Sequence, residues 1–214
     1  MYASGAVSPP DLHLIDLDGS PKPELLVGGG EIDEPESWAP DGSGFVFTRQ
    51  TDVGLDLWQF TVDGRRAQAL PINTSFNEWQ ARVSPDGRWI AYVSDETGTN
   101  AVFVAAFPSG RGKRAVSAGG GTAPQWRADG RELFYVSNTA GMMSVPVMAT
   151  DTTLDIGKPV ELFRLTRPVD VEGRNDAVLY RAEPSGQRFL IATKAPAADS
   201  PPIYVVLNWP ALIP

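Results

Sequence analysis

The sequence predicts an all-β chain folded as a β-propeller of about four blades, each with four antiparallel strands. Three observations predict it. A turn phrase recurs at Trp38-Ala39-Pro40-Asp41-Gly42, Val83-Ser84-Pro85-Asp86-Gly87 and Trp126-Arg127-Ala128-Asp129-Gly130, with 45 residues from Asp41 to Asp86 and 43 from Asp86 to Asp129. Each phrase runs into a short apolar segment: Phe45-Val46-Phe47, Trp89-Ile90-Ala91-Tyr92-Val93 and Leu133-Phe134-Tyr135-Val136. No stretch shows apolar spacing of three and four over a dozen residues, so helix is nearly absent. Repeats of about 40–45 residues made of short strands are the signature of propeller blades. A decayed fourth copy stands at Glu183-Pro184-Ser185-Gly186, before Phe189-Leu190-Ile191-Ala192.

The first strand expected is Asp11–Leu17, with Leu12 and Leu14 on one face and His13, Ile15 and Leu17 on the other. A weaker strand, Glu24–Val27, ends at Gly28-Gly29-Gly30. One full unit then reads Pro35–Trp38, the turn, Phe45–Arg49, Leu55–Val62 and Ala67–Leu70. The second reads Trp79–Val83, Arg88–Ser94, the loop Asp95–Asn100, Ala101–Phe107 and Arg114–Ser117. The third reads Ala123–Arg127, Glu132–Ser137, Met142–Met148 and Pro159–Phe163. The last reads Ala177–Ala182, Arg188–Thr193 and Ile203–Trp209. In the turns, proline presets φ and glycine accepts a positive φ. Trp38, Asp41, Gly42, Asp86, Gly87, Trp126, Asp129 and Gly130 are therefore residues of the structural repeat. Trp38, Trp79 and Trp126 are expected between sheets, Trp58 and Trp209 packed, and Trp89 partly exposed.

These strands fill one propeller domain over 11–214, with repeats near 11–34, 35–75, 76–120, 121–165 and 175–210, after a disordered or linker start over 1–10. Two strands, three complete units and three strands make about seventeen, a little over four blades. Both termini offer a third strand, so the chain is expected to be part of a larger propeller whose open ends invite self-association.

Composition narrows the function. At 214 residues and 42% hydrophobic content the chain can bury a sizeable core. A net charge of −8 disfavours nucleic acid and anionic membrane surfaces. No apolar run is long enough to span a bilayer, and the first residues lack the basic and apolar stretches of a signal peptide. With no cysteine, disulfides, thiolate nucleophiles, zinc knuckles and iron–sulfur clusters are excluded within the chain.

Ser84-Pro85-Asp86-Gly87-Arg88-Trp89-Ile90-Ala91-Tyr92-Val93-Ser94-Asp95 resembles the repeat of TolB-like propellers, the WD40-like Pro-Asp repeat family. Three further phrases, Pro202-Ile203-Tyr204-Val205-Val206-Leu207-Asn208-Trp209, Phe107-Pro108-Ser109-Gly110 and Gly119–Trp126, are similar to the C-terminal propellers of bacterial receptor-type serine/threonine kinases. That resemblance implies a sensor or interaction module outside a kinase domain, in an extracytoplasmic or periplasmic setting. The chain has no kinase loop motifs of its own.

Candidate sites are few. His13 is the only histidine and no Gly-x-Ser-x-Gly elbow is present, so a Ser-His-Asp triad and imidazole-rich metal sites are disfavoured. Asp95, Glu96 and Asn100 form the best calcium candidate, oxygens around a glycine turn, although their spacing is not that of an EF-hand. Otherwise no cofactor is expected. The Glu31–Glu36 cluster is expected on an inter-blade connection at one mouth of the channel. Arg82, Arg127 and Arg181, with Gln80, Gln125 and Tyr180, fall on first strands, which line a propeller channel. They are the candidate ligand-binding set for an anionic or polar ligand. The structural alternative is ion pairing of the arginines with turn aspartates of neighbouring blades.

The sequence thus points to a non-enzymatic module that binds a protein, peptide or small polar ligand on its axial face. Two alternatives stand beside it: a carbohydrate-active propeller hydrolase or lyase using a divalent metal, and the accessory propeller of a peptidase.

Overall fold

A computed structural model describes residues 2–4, 11–15, 22–150, 153–165 and 180–192. The strands expected over Ile203–Trp209, and Trp209 itself, lie outside the described residues. Among these residues there is no helix, and all paired strands are antiparallel.

Strands β1 (Tyr2–Ser4), β2 (Asp11–Leu14) and β3 (Glu24–Val27) form an N-terminal sheet in that order. Tyr2–Ser4, expected in a linker, is thus a paired strand. Two four-stranded meanders follow. The first is β4 (Ile32–Trp38), β5 (Gly44–Thr51), β6 (Gly54–Thr61) and β7 (Arg66–Ala69). The second is β8 (Glu78–Val83), β9 (Trp89–Ser94), β10 (Ala101–Ala106) and β11 (Arg114–Ala115). A third sheet holds β12 (Gly121–Trp126), β13 (Glu132–Ser137) and the long β14 (Gly141–Ala149). Its fourth place, expected as one strand over Pro159–Phe163, is shared. β15 (Leu154–Ile156) pairs the far end of β14, and β16 (Val160–Arg164) pairs its beginning. β17 (Tyr180–Ala182) and β18 (Phe189–Ile191) make a final hairpin.

The turn phrases build one device four times. The N–H of Gly42, Gly87, Gly130 and Gly186 donates to the carbonyl of Ala39, Ser84, Arg127 and Glu183, at 3.0, 2.9, 2.9 and 2.8 Å. Each glycine sits at φ between 71° and 76°, which only glycine adopts at no steric cost. The aspartate before it accepts the N–H two residues on: Ser43 to Asp41 at 3.0 Å, Arg88 to Asp86 at 3.1 Å, Arg131 to Asp129 at 3.0 Å. In the decayed copy Ser185 does the same for Gln187 at 3.3 Å. This side-chain capping is why aspartate and serine recur there.

Alternation explains how the sheets stack. Phe45 and Phe47 of β5 pack back onto Leu12 and Val27, while Val46 packs forward with Ala81, Ile90 and Tyr92. Trp89, Ala91 and Val93 of β9 pack forward onto Leu133, Tyr135 and Val145, and Phe134, Val136 and Met142 onto Tyr180. β5, β9 and β13 are thus buried on both faces, which is why these strands read as unbroken apolar runs. Burying each such large side chain stabilises by roughly 1.5–3 kcal/mol.

Four expectations change here. Trp89, expected partly exposed, is buried at 6% exposure because it faces the third sheet. Trp38 is 40% exposed and touches Phe45 edge-on, so it is a cover rather than core. Trp79 does not share its blade position: it pairs Val93, while Val83 is the counterpart of Trp38 and Trp126. The acidic cluster expected on a connection lies largely in β4, where Asp33 is fully buried against the Arg49 guanidinium at 2.7 and 2.9 Å.

Candidate functional site

The first strands of successive sheets, β4, β8 and β12, stand side by side. Four residues before each turn aspartate or its serine counterpart, these strands and β17 carry Ser37, Arg82, Gln125 and Arg181. Arg127 is two residues nearer its turn. Its guanidinium bonds Asp129 at 2.7 and 2.8 Å and reaches Glu132 at 2.9 Å. It staples its own blade, and the three arginines expected as a group are divided. Counting back from the turn would have separated them in the sequence.

Each of β4, β8 and β12 is irregular at its middle, with register shifts between Pro35 and Ser37, Trp79 and Arg82, and Thr122 and Gln125. Gln80 and Ala123 there adopt φ of 52° and 55°. Bulged residues lose their ladder partner, so their N–H groups need another acceptor. The preceding blade supplies it. Gln80 N–H donates to Glu36 Oε1 at 2.7 Å, and Ala123 N–H donates to Gln80 Oε1 at 2.8 Å. Gln125 continues the series: its amide nitrogen donates to the Tyr180 carbonyl, and its oxygen accepts Ala182 N–H at 3.3 Å. Two of the expected ligand residues, Gln80 and Gln125, are therefore straps between blades. Glu36, expected only as a member of the Glu31–Glu36 cluster on a connection, starts the series.

Arg82 bonds Glu36 rather than a turn aspartate. Its Nη1 donates to Glu36 Oε2 at 2.8 Å, to the Glu36 carbonyl at 2.9 Å and to the Ala81 carbonyl at 2.8 Å. The Trp126 indole donates to the Arg82 carbonyl at 2.9 Å. Tyr180 is buried, and its hydroxyl donates to the Ala123 carbonyl at 2.9 Å. Burial pushes its phenol well above the ordinary range, so it stays neutral. Arg181 differs from all of these. It is exposed and has no hydrogen bond or ion pair among the described residues. The part of it that is covered, and then the like charge of Arg82, lowers its pKa.

The opposite end of the second blade holds the calcium candidates. Asp95 accepts the Asn77 backbone N–H at 2.9 Å and its side-chain amide at 2.7 Å, and Glu96 pairs with Lys113. The Asn100 carbonyl accepts Gly121 N–H at 2.8 Å. Among the described residues no cluster of three potential metal-ligating side chains is present. Nearby Glu78 is fully buried, with Thr74 donating through its hydroxyl at 2.7 Å and its N–H at 3.2 Å, and Ser94 through its hydroxyl at 3.2 Å. Burial raises its pKa despite these donors.

The antiparallel four-stranded sheets, their serial stacking and the repeated turn define a TolB-like β-propeller fold. The chain is similar to TolB of Acinetobacter baumannii, at 21% identity and a TM-score of 0.54, over 72% of this chain and 39% of that one. It is similar to an Agrobacterium tumefaciens protein assigned as TolB, at 20% identity and a TM-score of 0.54, over 73% and 57%. A Bacteroides uniformis protein assigned as a 6-phosphogluconolactonase matches at 15% identity and a TM-score of 0.55, over 86% and 57%. In sequence, an uncharacterized protein of Agrobacterium fabrum is 24% identical over 59% of this chain and 46% of its own. No family model matches. The chain spans roughly half the length of these relatives.

Proposed function

We propose that this propeller is a non-enzymatic interaction or sensor module that takes a protein, peptide or small polar ligand along the row of its first strands. One observation carries the reading: Ser37, Arg82, Gln125 and Arg181 stand at the same distance from the turn on four successive repeats, and with Gln125 committed to its strap a single extended ligand along the row would meet Arg82 and Arg181. Repeat folds bind through such composite surfaces. The resemblance to kinase-linked propellers supports reading the row as the sensing face of an extracytoplasmic domain. Self-association belongs to the same proposal, at the last sheets, where Val160, Leu162 and Leu190 are exposed beside a cleft of about 510 Å³ lined by Phe163, Phe189 and Ile191.

A peptide-array screen with the wild-type chain and with Arg181→Trp tests the row. The expected result is a set of peptides held by the wild type and lost when the indole fills the row. Equal retention by both proteins overturns it. Light scattering across concentrations reads the self-association, with a constant 23.0 kDa mass counting against it. A clear rise in melting temperature with calcium or manganese would favour the carbohydrate-active reading instead.

A further inference from the structure

We infer that the first-strand row holds a carboxylate of an acidic peptide, gripped by Arg181 together with the outer edge of Arg82. This rests on the reading that the row receives a ligand, and names the ligand's chemistry. Arg82 places all three of its bonds on Nη1, which leaves Nη2 and Nε without a hydrogen bond among the described residues. Arg181 has no hydrogen bond or ion pair with any of the described residues. Its backbone, by contrast, is held on both sides, since Gln125 bonds the Tyr180 carbonyl and the Ala182 N–H. The strand is fixed and the guanidinium is left open, which is the arrangement of a ligand-gripping side chain rather than a structural one.

Charge selects the ligand. Among the described residues, two guanidinium groups stand against the one carboxylate of Glu36, itself 1% exposed at the side chain, an excess of one positive charge. A carboxylate matches that excess, whereas a phosphate dianion would stay half neutralised. A planar guanidinium also fits a planar carboxylate with two parallel hydrogen bonds. Burial, and after it the like charge of Arg82, lowers the Arg181 pKa, and an anion between the two guanidinium groups relieves the second.

The probes are acetyl-Asp-Asp-Asp-amide, its Asn-Asn-Asn counterpart and inorganic phosphate, followed by calorimetry and by tryptophan fluorescence, since Trp126 bonds the Arg82 carbonyl. The aspartyl peptide should bind, and the asparaginyl peptide and phosphate should bind at least tenfold more weakly. Arg181→Gln should cost the aspartyl peptide about tenfold, the size of one lost hydrogen bond to a charged group, and Arg181→Lys less. Raising salt from 50 to 500 mM should weaken it several-fold. Unchanged melting temperatures establish that the variants fold. Equal binding of both peptides, lost only with Arg181→Trp, would overturn the carboxylate while leaving the row as a binding surface. No binding of the aspartyl peptide, or tighter binding of phosphate, overturns the inference outright.

Discussion

The two ends of each blade obey different rules. At the turn end, four copies make the same hydrogen bonds with the same positive-φ glycine. At the other end, the position eight residues before the turn aspartate is solved three ways. Asp33 is buried against Arg49, Glu78 is buried among Thr74 and Ser94, and Gly121 leaves room for the Tyr135 ring. The turn end is what makes the chain a repeat. The loop end is what makes each blade an individual, and there the buried carboxylate of Glu78 carries a raised pKa.

The sharpest way to break this contrast is Gly44→Ala. A Cβ on Gly44 would lie 2.1 Å from the Phe60 carbonyl oxygen, a backbone atom that cannot step aside. The expected loss is about 3 kcal/mol or more, the range of severe overpacking, read as a calorimetric fall in melting temperature. A loss below that of any loop-end variant would show that the turn end is not the rigid one.

At the loop end, Glu78→Ala takes the acceptor away from the buried Ser94 hydroxyl and from the hydroxyl and N–H of the exposed Thr74. It should cost about 1–3 kcal/mol, the penalty of unsatisfied buried groups, measured by urea unfolding. Glu78→Gln should lose less, because the amide oxygen can still accept.

The two ends should also respond to pH with opposite sign. Burial raises the Glu78 pKa above its ordinary 4.5, so the folded chain holds that proton more tightly than the unfolded one. The stability this gives is present below 4.5 and lost as pH rises through the folded value. Hydrogen bonds from Arg127, then from the Arg131 N–H, hold Asp129 down at about 2 against an ordinary 3.8. Its contribution is present above 3.8 and lost as pH falls toward about 2. Melting curves across pH should show the first slope shrink in Glu78→Gln and the second in Asp129→Asn, and unchanged slopes in both variants would sink the assignment.

The smallest effect expected is a gain. Ala123 holds φ of 55°, a conformation that costs a non-glycine residue about 1–2 kcal/mol, part of which glycine's own entropy offsets. Ala123→Gly should raise the melting temperature slightly. A fall would mean that the Ala123 methyl, packed near Tyr180, matters more than the strain.

The blades were legible because turn chemistry and two-sided apolar strands are local signals: Pro85-Asp86-Gly87 and Trp89–Val93 can be read without knowing any neighbour. The straps were not. Gln80 and Gln125 look like ligand residues in the sequence because an amide on a first strand has no visible partner there. Their partners, Ala123 N–H and the Tyr180 carbonyl, lie 43 and 55 residues on, and the first becomes available because of a bulge. Trp38 misled for the same kind of reason. Its match to Trp126 is a match of turn position, but Trp126 reaches the Arg82 carbonyl while Trp38 remains on the surface.

The relay from Glu36 to Gln80 to Ala123 also limits how such a chain can change by recombination. Duplicating or shuffling a unit at its natural period would keep every apolar face matched, yet it would present the wrong side chain to the next bulge. Blade order is therefore written in hydrogen bonds. A transplanted blade should be accepted only with the strap residue of the blade before it, so the heritable module straddles two sheets rather than filling one.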